Sequence, residues 1–176
     1  MGERNRKRVG RSGTSPRRHA AGGFGLVETI VGAAIVSMVL LALGQIGQFT
    51  FRVVDESNLK LRAAFLAEEG LEAVRILRDT SFTANIAPLN LAQDYYLTFT
   101  AGAWQLGATP APLVDNIFDR RVVLSAVYRD SSDAITTTGG TLDPNTKKIT
   151  VQVSWSHRGR QATNAISTYL TNLFSN

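Results

Sequence analysis

Cysteine is absent from this chain of 176 residues, and histidine occurs only at His19 and His157. The absence of cysteine excludes disulfide bonds and thiolate metal sites, so a small domain must be stabilised by its apolar core or by partner proteins. Two distant histidines provide no zinc-binding pair, and no glycine-rich loop has the spacing of a phosphate cradle. We therefore predict no catalytic residues, no metal and no cofactor, and expect that the protein is not an enzyme.

Proline is also missing between Pro16 and Pro88, so no residue in this interval forces a helix to break. The interval opens with an almost wholly apolar segment, residues 24–51, in which residues 26–43 carry a single charge at Glu28. About 20 residues of helix span a bilayer core, because each residue adds about 1.5 Å. The segment therefore predicts a transmembrane helix.

Residues 52–80 have the pattern of an amphipathic helix. Positions three or four residues apart form one apolar helical face, namely Leu59, Ala63, Leu66, Gly70, Val74 and Leu77. Since no helix breaker separates this segment from the apolar one, we predict one long N-terminal helix. Its first half is transmembrane and its second half is amphipathic.

Beyond residue 80 the apolar pattern changes from a helical period to alternation. The clearest example is the strand in which Ile149, Val151, Val153 and Trp155 share one face. The predicted fold class is α+β, with the long helix packed on a small antiparallel sheet of three or four strands. The predicted elements are strands at residues 95–100, 121–129, 148–155 and 161–170, a hairpin turn near Gly159, and a polar loop at residues 130–146.

The polar loop contains Asp130, Asp133 and Asp143, and carboxylates are the ligands that calcium prefers. Their spacing does not match that of an EF-hand. We therefore predict no metal site in this loop.

Acidic residues are nearly absent from the first 23 residues, where only Glu3 opposes seven basic side chains. The remaining residues carry 12 basic and 13 acidic side chains, so the net charge of +5 comes from the N-terminal segment. A basic flank on one side of an apolar segment predicts that this side stays in the cytoplasm, with residues 81–176 outside it.

Three interpretations fit a basic segment followed by an apolar one. They are an uncleaved membrane anchor, a secretory signal peptide cut near Gly44, and a leader cut between Gly23 and Phe24. A carboxylate in a lipid-facing helix costs roughly 2.5 kcal/mol or more, and intramembrane charges usually mark a function. Glu28 brings no evident benefit to an anchor or to a signal peptide, so it favours the third interpretation.

The stretch Gly23-Phe24-Gly25-Leu26-Val27-Glu28, followed by the apolar segment, resembles the cleavage signal of type IV prepilins and pseudopilins. The resemblance implies that a prepilin peptidase cuts after Gly23 and methylates the new amino group of Phe24. Glu28 is then the fifth residue of the mature chain, as is characteristic of that family. One departure is Gln45, which stands where many pilins have a proline.

The resemblance also implies a pilin-like fold and a role for each part of the chain. Residues 1–23 are the cleaved basic cytoplasmic leader, and residues 24–51 are the transmembrane and filament-core helix. Residues 52–80 are the amphipathic half of that helix, and residues 81–176 are the β-rich extracytoplasmic domain.

The implied function is that of a structural subunit, a minor pilin or pseudopilin, in an envelope-spanning filament. The implied partners are other pilin or pseudopilin subunits along the N-terminal helix, the prepilin peptidase, an inner-membrane assembly platform and, before assembly, membrane lipid. The implied location is the bacterial inner membrane and later a cell-surface or periplasmic filament. Glu28 can pair with the Phe24 amine of a neighbouring subunit, and this pairing would set the register of assembly because an unmatched buried charge is heavily penalised.

Two other functions stay open from the sequence. One is an unprocessed single-pass membrane protein with an external β-rich binding domain, and the other is a secreted domain cut near Gly44.

Nucleic acid is a less favoured partner. Basic residues interleaved with aromatic ones can hold phosphates and stack bases, and the residues of this type are Lys147, Lys148, Trp155, His157, Arg158 and Arg160. We prefer to interpret them as a charged sheet rim around a core tryptophan, with His157 exposed to solvent beside the hairpin turn.

Overall fold

The computed structural model describes Gly23 and residues 25–173. The predicted leader residues 1–22 and Phe24 therefore lie outside the described residues. The chain forms two helices, α1 at Leu26–Thr80 and α2 at Phe82–Asn85, and six strands: β1 Asp94–Thr100, β2 Ala103–Gly107, β3 Phe118–Arg129, β4 Ile135–Thr136, β5 Thr141–His157 and β6 Arg160–Thr171. The α+β class predicted from the sequence is confirmed.

The chain divides into two units, Met1–Gly47 and Gln48–Asn176. In the described residues, the first unit consists of the apolar beginning of α1. The second unit contains the rest of α1 and the whole sheet.

Helix α1 is continuous for 55 residues, as the absence of proline predicts. Glu28 lies in its first turn and Arg78 in its last, so both charges have the sign that the helix dipole favours. The helix ends at Thr80 because Ser81 adopts an extended backbone. Its side-chain oxygen then accepts a hydrogen bond from the Ala84 backbone N–H and caps α2.

The amphipathic face of α1 is confirmed. Of its predicted members, Ala63, Gly70, Val74 and Leu77 are buried, and Leu59 and Leu66 are partly buried against the same core. Ala67, Leu71 and Ala73 widen this face.

The sheet has the strand order β2-β1-β3-β5-β6, all antiparallel, and the two-residue strand β4 pairs with β3. Strand β5 is hydrogen-bonded to both β3 and β6, and its residues Ile149, Val151, Val153 and Trp155 are buried as the alternation predicted. The four predicted strands are confirmed as β1, β3, β5 and β6. The predicted hairpin turn lies at Arg158 and Gly159, both of which have positive φ angles.

Two predictions about the sheet were incomplete or wrong. Strand β2 was missed, although Trp104 and Leu106 alternate along it and are half-buried. The predicted polar loop at residues 130–146 was wrong in part, because it contains β4 and the first residues of β5. These polar residues are extended because β3 continues to Arg129 and supplies their partners, with Arg129 opposite Thr141 and Tyr128 opposite Leu142.

Helix α1 packs closely on β5 at Gly70. A Cβ atom at this position would lie 2.9 Å from Cγ1 of Val151 and 3.3 Å from Cδ of Arg120. Real Cβ contacts are longer than the first of these distances, so the helix could not sit this close to the sheet with any other residue at position 70.

An ion pair joins α1 to β3 beside this contact, and its Glu69 side chain is 49 % exposed. The side chain of Arg120 is 6 % exposed, and its Nη1 donates a hydrogen bond to Oε1 of Glu69 at 2.9 Å. Its guanidinium carbon lies 5.5 Å from the ring centroid of Trp104, within the range of cation–π attraction. Arg120 thus connects the helix, β3 and the β1–β2 hairpin.

The close approach at Gly70 predicts the effect of Gly70→Leu. We expect the free energy of unfolding to fall by about 1–3 kcal/mol, because the added side chain overpacks the contact with Val151. Urea unfolding of the full chain in dodecyl maltoside micelles, followed by tryptophan fluorescence, measures this change. The matched control is Glu68→Leu on the exposed face of the same helix, which we expect to change the free energy by no more than about 0.5 kcal/mol. Equal losses in both variants would contradict the packing explanation.

Candidate functional site

The predicted cleavage site lies immediately before helix α1. Gly23 and Gly25 are exposed and not helical, and regular helix starts at Leu26. Phe24, the predicted methylation site, lies outside the described residues. A peptidase needs accessible backbone that is not already held in a helix, and Gly23 has this character.

Glu28 is exposed in the first turn of α1. The first N–H groups of a helix have no partner within the helix, and they give this end a partial positive charge. A carboxylate here is stabilised by typically 0.3–1 kcal/mol where it is exposed. The helix dipole is therefore a local reason for an acidic residue at this position, in addition to the proposed amine partner, and the sequence interpretation did not include it.

The apolar beginning of α1 is a candidate membrane span by length and composition. None of the residues in its most apolar 18-residue window is buried, although Ile30, Ile35 and Leu40 are typical core residues. A signal sequence near an N-terminus has the same length and composition, so the span alone does not distinguish among the three interpretations.

Two hydroxyl side chains in this segment are hydrogen-bonded within the helix. The Thr29 hydroxyl donates to the backbone oxygen of Leu26 at 2.9 Å, and the Ser37 hydroxyl donates to that of Ala33 at 2.7 Å. Neither hydroxyl needs a partner from its surroundings, as a lipid-exposed helix requires.

A second apolar surface lies on α1 within the unit that begins at Gln48. Val54, Leu61 and Phe65 are spaced by seven and four residues and occupy the face opposite the buried one. Their exposed fractions are 49 %, 55 % and 59 %. We call these three residues the outer stripe. The sequence interpretation missed this stripe, although the seven- and four-residue spacing of its members is that of one helical face.

The aspartates of the 130–146 segment face an arginine. Arg129 Nε lies 2.7 Å from Oδ2 of Asp143 and 3.6 Å from Oδ1 of Asp133. The Asp130 side chain accepts hydrogen bonds from the backbone N–H groups of Ser132 and Ala134. Within residues 25–173 no group of three or more acidic, histidine or cysteine side chains could hold a metal ion. The guanidinium group supplies the positive charge between these carboxylates.

The basic and aromatic residues of the nucleic-acid interpretation do not form one surface. Lys147 and Lys148 lie in the middle of β5, opposite the end of β6, whereas Arg158 and Arg160 lie at the β5–β6 turn, about 30 Å away at 3.3 Å per residue. The interpretation of Trp155 as a core residue is confirmed, because it is buried and packs on Phe118 at 5.9 Å between ring centroids.

The prediction that His157 is solvent-exposed was wrong. His157 is half-buried, and its Nε2 atom is inaccessible and has no hydrogen-bond partner among the described residues. The cause is strand alternation, because His157 follows Val153 and Trp155 on the face that points toward α1.

In comparisons with family models, curated proteins and solved structures, no significant match to this chain was found.

The Arg129–Asp143 pair predicts how stability depends on pH. The hydrogen bond from Arg129 lowers the pKa of Asp143 below its ordinary value of 3.8, and a second hydrogen bond to Thr146 acts in the same direction. A carboxyl whose folded pKa is lowered stabilises the fold above its unfolded pKa, and this stabilisation is lost as pH falls through the folded pKa. We therefore expect Asp143→Asn to lower the urea midpoint at pH 7 and to reduce the further loss of stability between pH 4 and pH 2.

The matched control for this prediction is Asp133→Asn, since the Asp133 side chain is 86 % exposed. Urea midpoints at pH 7, 4 and 2.5 should be nearly the same for this variant and the unmodified chain. If Asp143→Asn shows the acid sensitivity of the unmodified chain, the pair does not contribute to it.

Proposed function

We propose that this chain is a type IV pilin-like subunit, a minor pilin or pseudopilin, of an envelope-spanning filament. The observation that carries the proposal is the start of α1. This part of the helix is apolar and exposed, and its single acidic residue, Glu28, lies in the first turn. An exposed, non-helical glycine at position 23 directly precedes this region. The proposed role of the chain is assembly rather than catalysis, and this role requires no cofactor or metal.

The proposed cleavage after Gly23 creates a positive amine on Phe24 at the membrane edge. In a bundle of such helices, Glu28 of one subunit pairs with the amine of a neighbour. An ion pair that is removed from water stabilises only if both partners are present, and loss of one partner costs about 3–5 kcal/mol. The pair therefore favours one stagger between neighbouring subunits.

The outer stripe supports assembly along the helix beyond the apolar segment. Val54, Leu61 and Phe65 are exposed on the face that does not pack on the sheet. A packed neighbour would remove their apolar area from water at about 25 cal/mol per Å². In the proposed filament these residues contact helices of other subunits.

The first test is the N-terminal residue and mass of the mature protein, isolated from the cells that produce it naturally. We expect a chain that begins at N-methylated Phe24. A chain beginning near Gln45 would indicate a secreted domain, and an uncut chain would indicate a membrane anchor with an external binding domain. Either of these two results would exclude the proposed processing.

The second test is Glu28→Leu. We expect membrane insertion and cleavage to persist, while incorporation into filaments falls at least about tenfold because the Phe24 amine loses its partner. The matched control is Glu68→Leu, the same change at an exposed position of α1 in the sheet-bearing unit. Quantitative immunoblots of sheared filaments and of membranes measure both steps. Normal incorporation of Glu28→Leu would refute the register role of Glu28.

A further inference from the structure

A basic pocket of about 360 Å³ lies between α1 and the β5–β6 turn, within the unit that begins at Gln48. Its volume falls in the range of about 300–1,000 Å³ that small-molecule sites occupy. Helix α1 contributes one basic and one acidic side chain, and the end of β5, the turn and the start of β6 contribute the rest. The main lining residues are Arg52, Glu56, Trp155, His157, Arg158 and Arg160.

The positive charges of this pocket exceed the negative ones. Glu56 is paired with Lys60 at 2.7 Å, and Arg158 is paired with Asp55 at 3.3 Å. Arg52 and Arg160 make no ion pair or side-chain hydrogen bond with any described residue. Both guanidinium groups can therefore donate hydrogen bonds to an anion, although the Glu56 carboxylate also attracts that of Arg160.

The turn between β5 and β6 places two of the arginines. His157 and Arg160 are paired across it, and the two residues between them have positive φ angles of 52° at Arg158 and 75° at Gly159. This is the conformation of a two-residue type I′ turn, in which asparagine, aspartate or glycine is preferred at the first position. An arginine here is conformationally unfavourable, but its side chain reaches Asp55 on α1 and closes one side of the pocket.

A polar atom without a partner lies in the pocket wall. His157 lines the pocket, and its buried Nε2 has no hydrogen-bond partner among the described residues. Buried polar atoms are nearly always paired, but this nitrogen is inaccessible, so an anion in the pocket would be held by the arginines rather than by it. An oxyanion can accept hydrogen bonds from several arginines together, and the arginine fork matches phosphate geometry.

The position of Arg52 in the chain indicates where such an anion would come from. Arg52 directly follows the apolar segment that ends at Phe51, and Glu56 is one helical turn further. The residues that follow a membrane span lie at the depth of the lipid head groups. The pocket would therefore meet phospholipid phosphates as soon as α1 is inserted.

We propose that the basic pocket binds a phosphate group, supplied by a phospholipid head group while the subunit resides in the membrane. The source of the phosphate rests on the proposed membrane insertion of α1. The phosphate chemistry rests only on the pocket. Arg52 and Arg160 contact the phosphate, and Arg158 keeps its ion pair with Asp55.

The test uses the full chain purified in dodecyl maltoside. Native mass spectrometry after addition of dioleoyl phosphatidylglycerol measures lipid binding, and calorimetric titration with sodium phosphate measures free phosphate binding. We expect one tightly bound phosphatidylglycerol, with affinity at least tenfold lower in the Arg52→Gln/Arg160→Gln variant. These two arginines hold no other element in place, so the variant should fold.

The matched control is Lys147→Gln/Lys148→Gln, which removes the same charge about 30 Å from the pocket along β5. Its lipid affinity should stay within twofold of the unmodified chain. Binding of inorganic phosphate but not of lipid, abolished by the arginine variant alone, would support the phosphate site and assign it to free phosphate. Absence of both kinds of binding, or an equal loss in both variants, would overturn the proposal.

This experiment and the test of processing can fail independently. A chain that is not cleaved after Gly23 can still bind phosphate in micelles through the pocket. A correctly processed chain whose pocket binds neither probe would leave the filament proposal intact and remove only this one.

Discussion

The close packing of α1 on strand β5 at Gly70 is the contact on which the rest of the sheet unit depends. The missing side chain at position 70 lets the helix lie against Val151, in the strand that pairs with both β3 and β6. The apolar residues of both elements are then enclosed in one core, with the Arg120–Glu69 pair beside it. With no cysteine in the chain, no covalent crosslink can replace this contact.

The fold could be predicted from the sequence where one physical rule determined a whole segment. The three- and four-residue spacing fixed the buried face of α1, and strict alternation fixed the inward residues of β5. The sequence failed where a partner strand determined the conformation. Thr141 and Leu142 have no strand signal of their own and are extended because β3 runs beside them. His157 looked like a residue of a solvated turn, but the register of the hairpin directs its ring toward α1.

The sequence predicted which residues form the candidate site, but it did not predict the structural surroundings of those residues. The order of Gly23, Phe24 and Glu28 is seen directly in the amino-acid sequence, and the resemblance to prepilins depends on this order. Glu28 occupies the first turn of the helix because of where the helix begins. The sequence interpretation placed this beginning at Phe24, and the structure places it at Leu26.

The outer stripe and the basic pocket lie on opposite faces of the same stretch of α1. Arg52 and Glu56 face the sheet, whereas the outer stripe, Val54, Leu61 and Phe65, faces away from it. Contact with neighbouring helices and binding of a phosphate therefore do not compete for the same surface.

The strand order also determines when this protein can fold during its synthesis. Strand β5 lies between β3 and β6, and the residues that cover the amphipathic face of α1 include Ile149, Val151, Val153 and Trp155. Until those residues have been synthesised, the helix face from Ala63 to Leu77 can pack only on residues of β1 and β3, such as Leu97 and Val122. The first 140 residues of a growing chain thus carry a helix face that only β1 and β3 can cover, and an edge of β3 that lacks its partner β5. Such intermediates are prone to aggregate. Rapid synthesis of the β5–β6 hairpin therefore protects the growing chain.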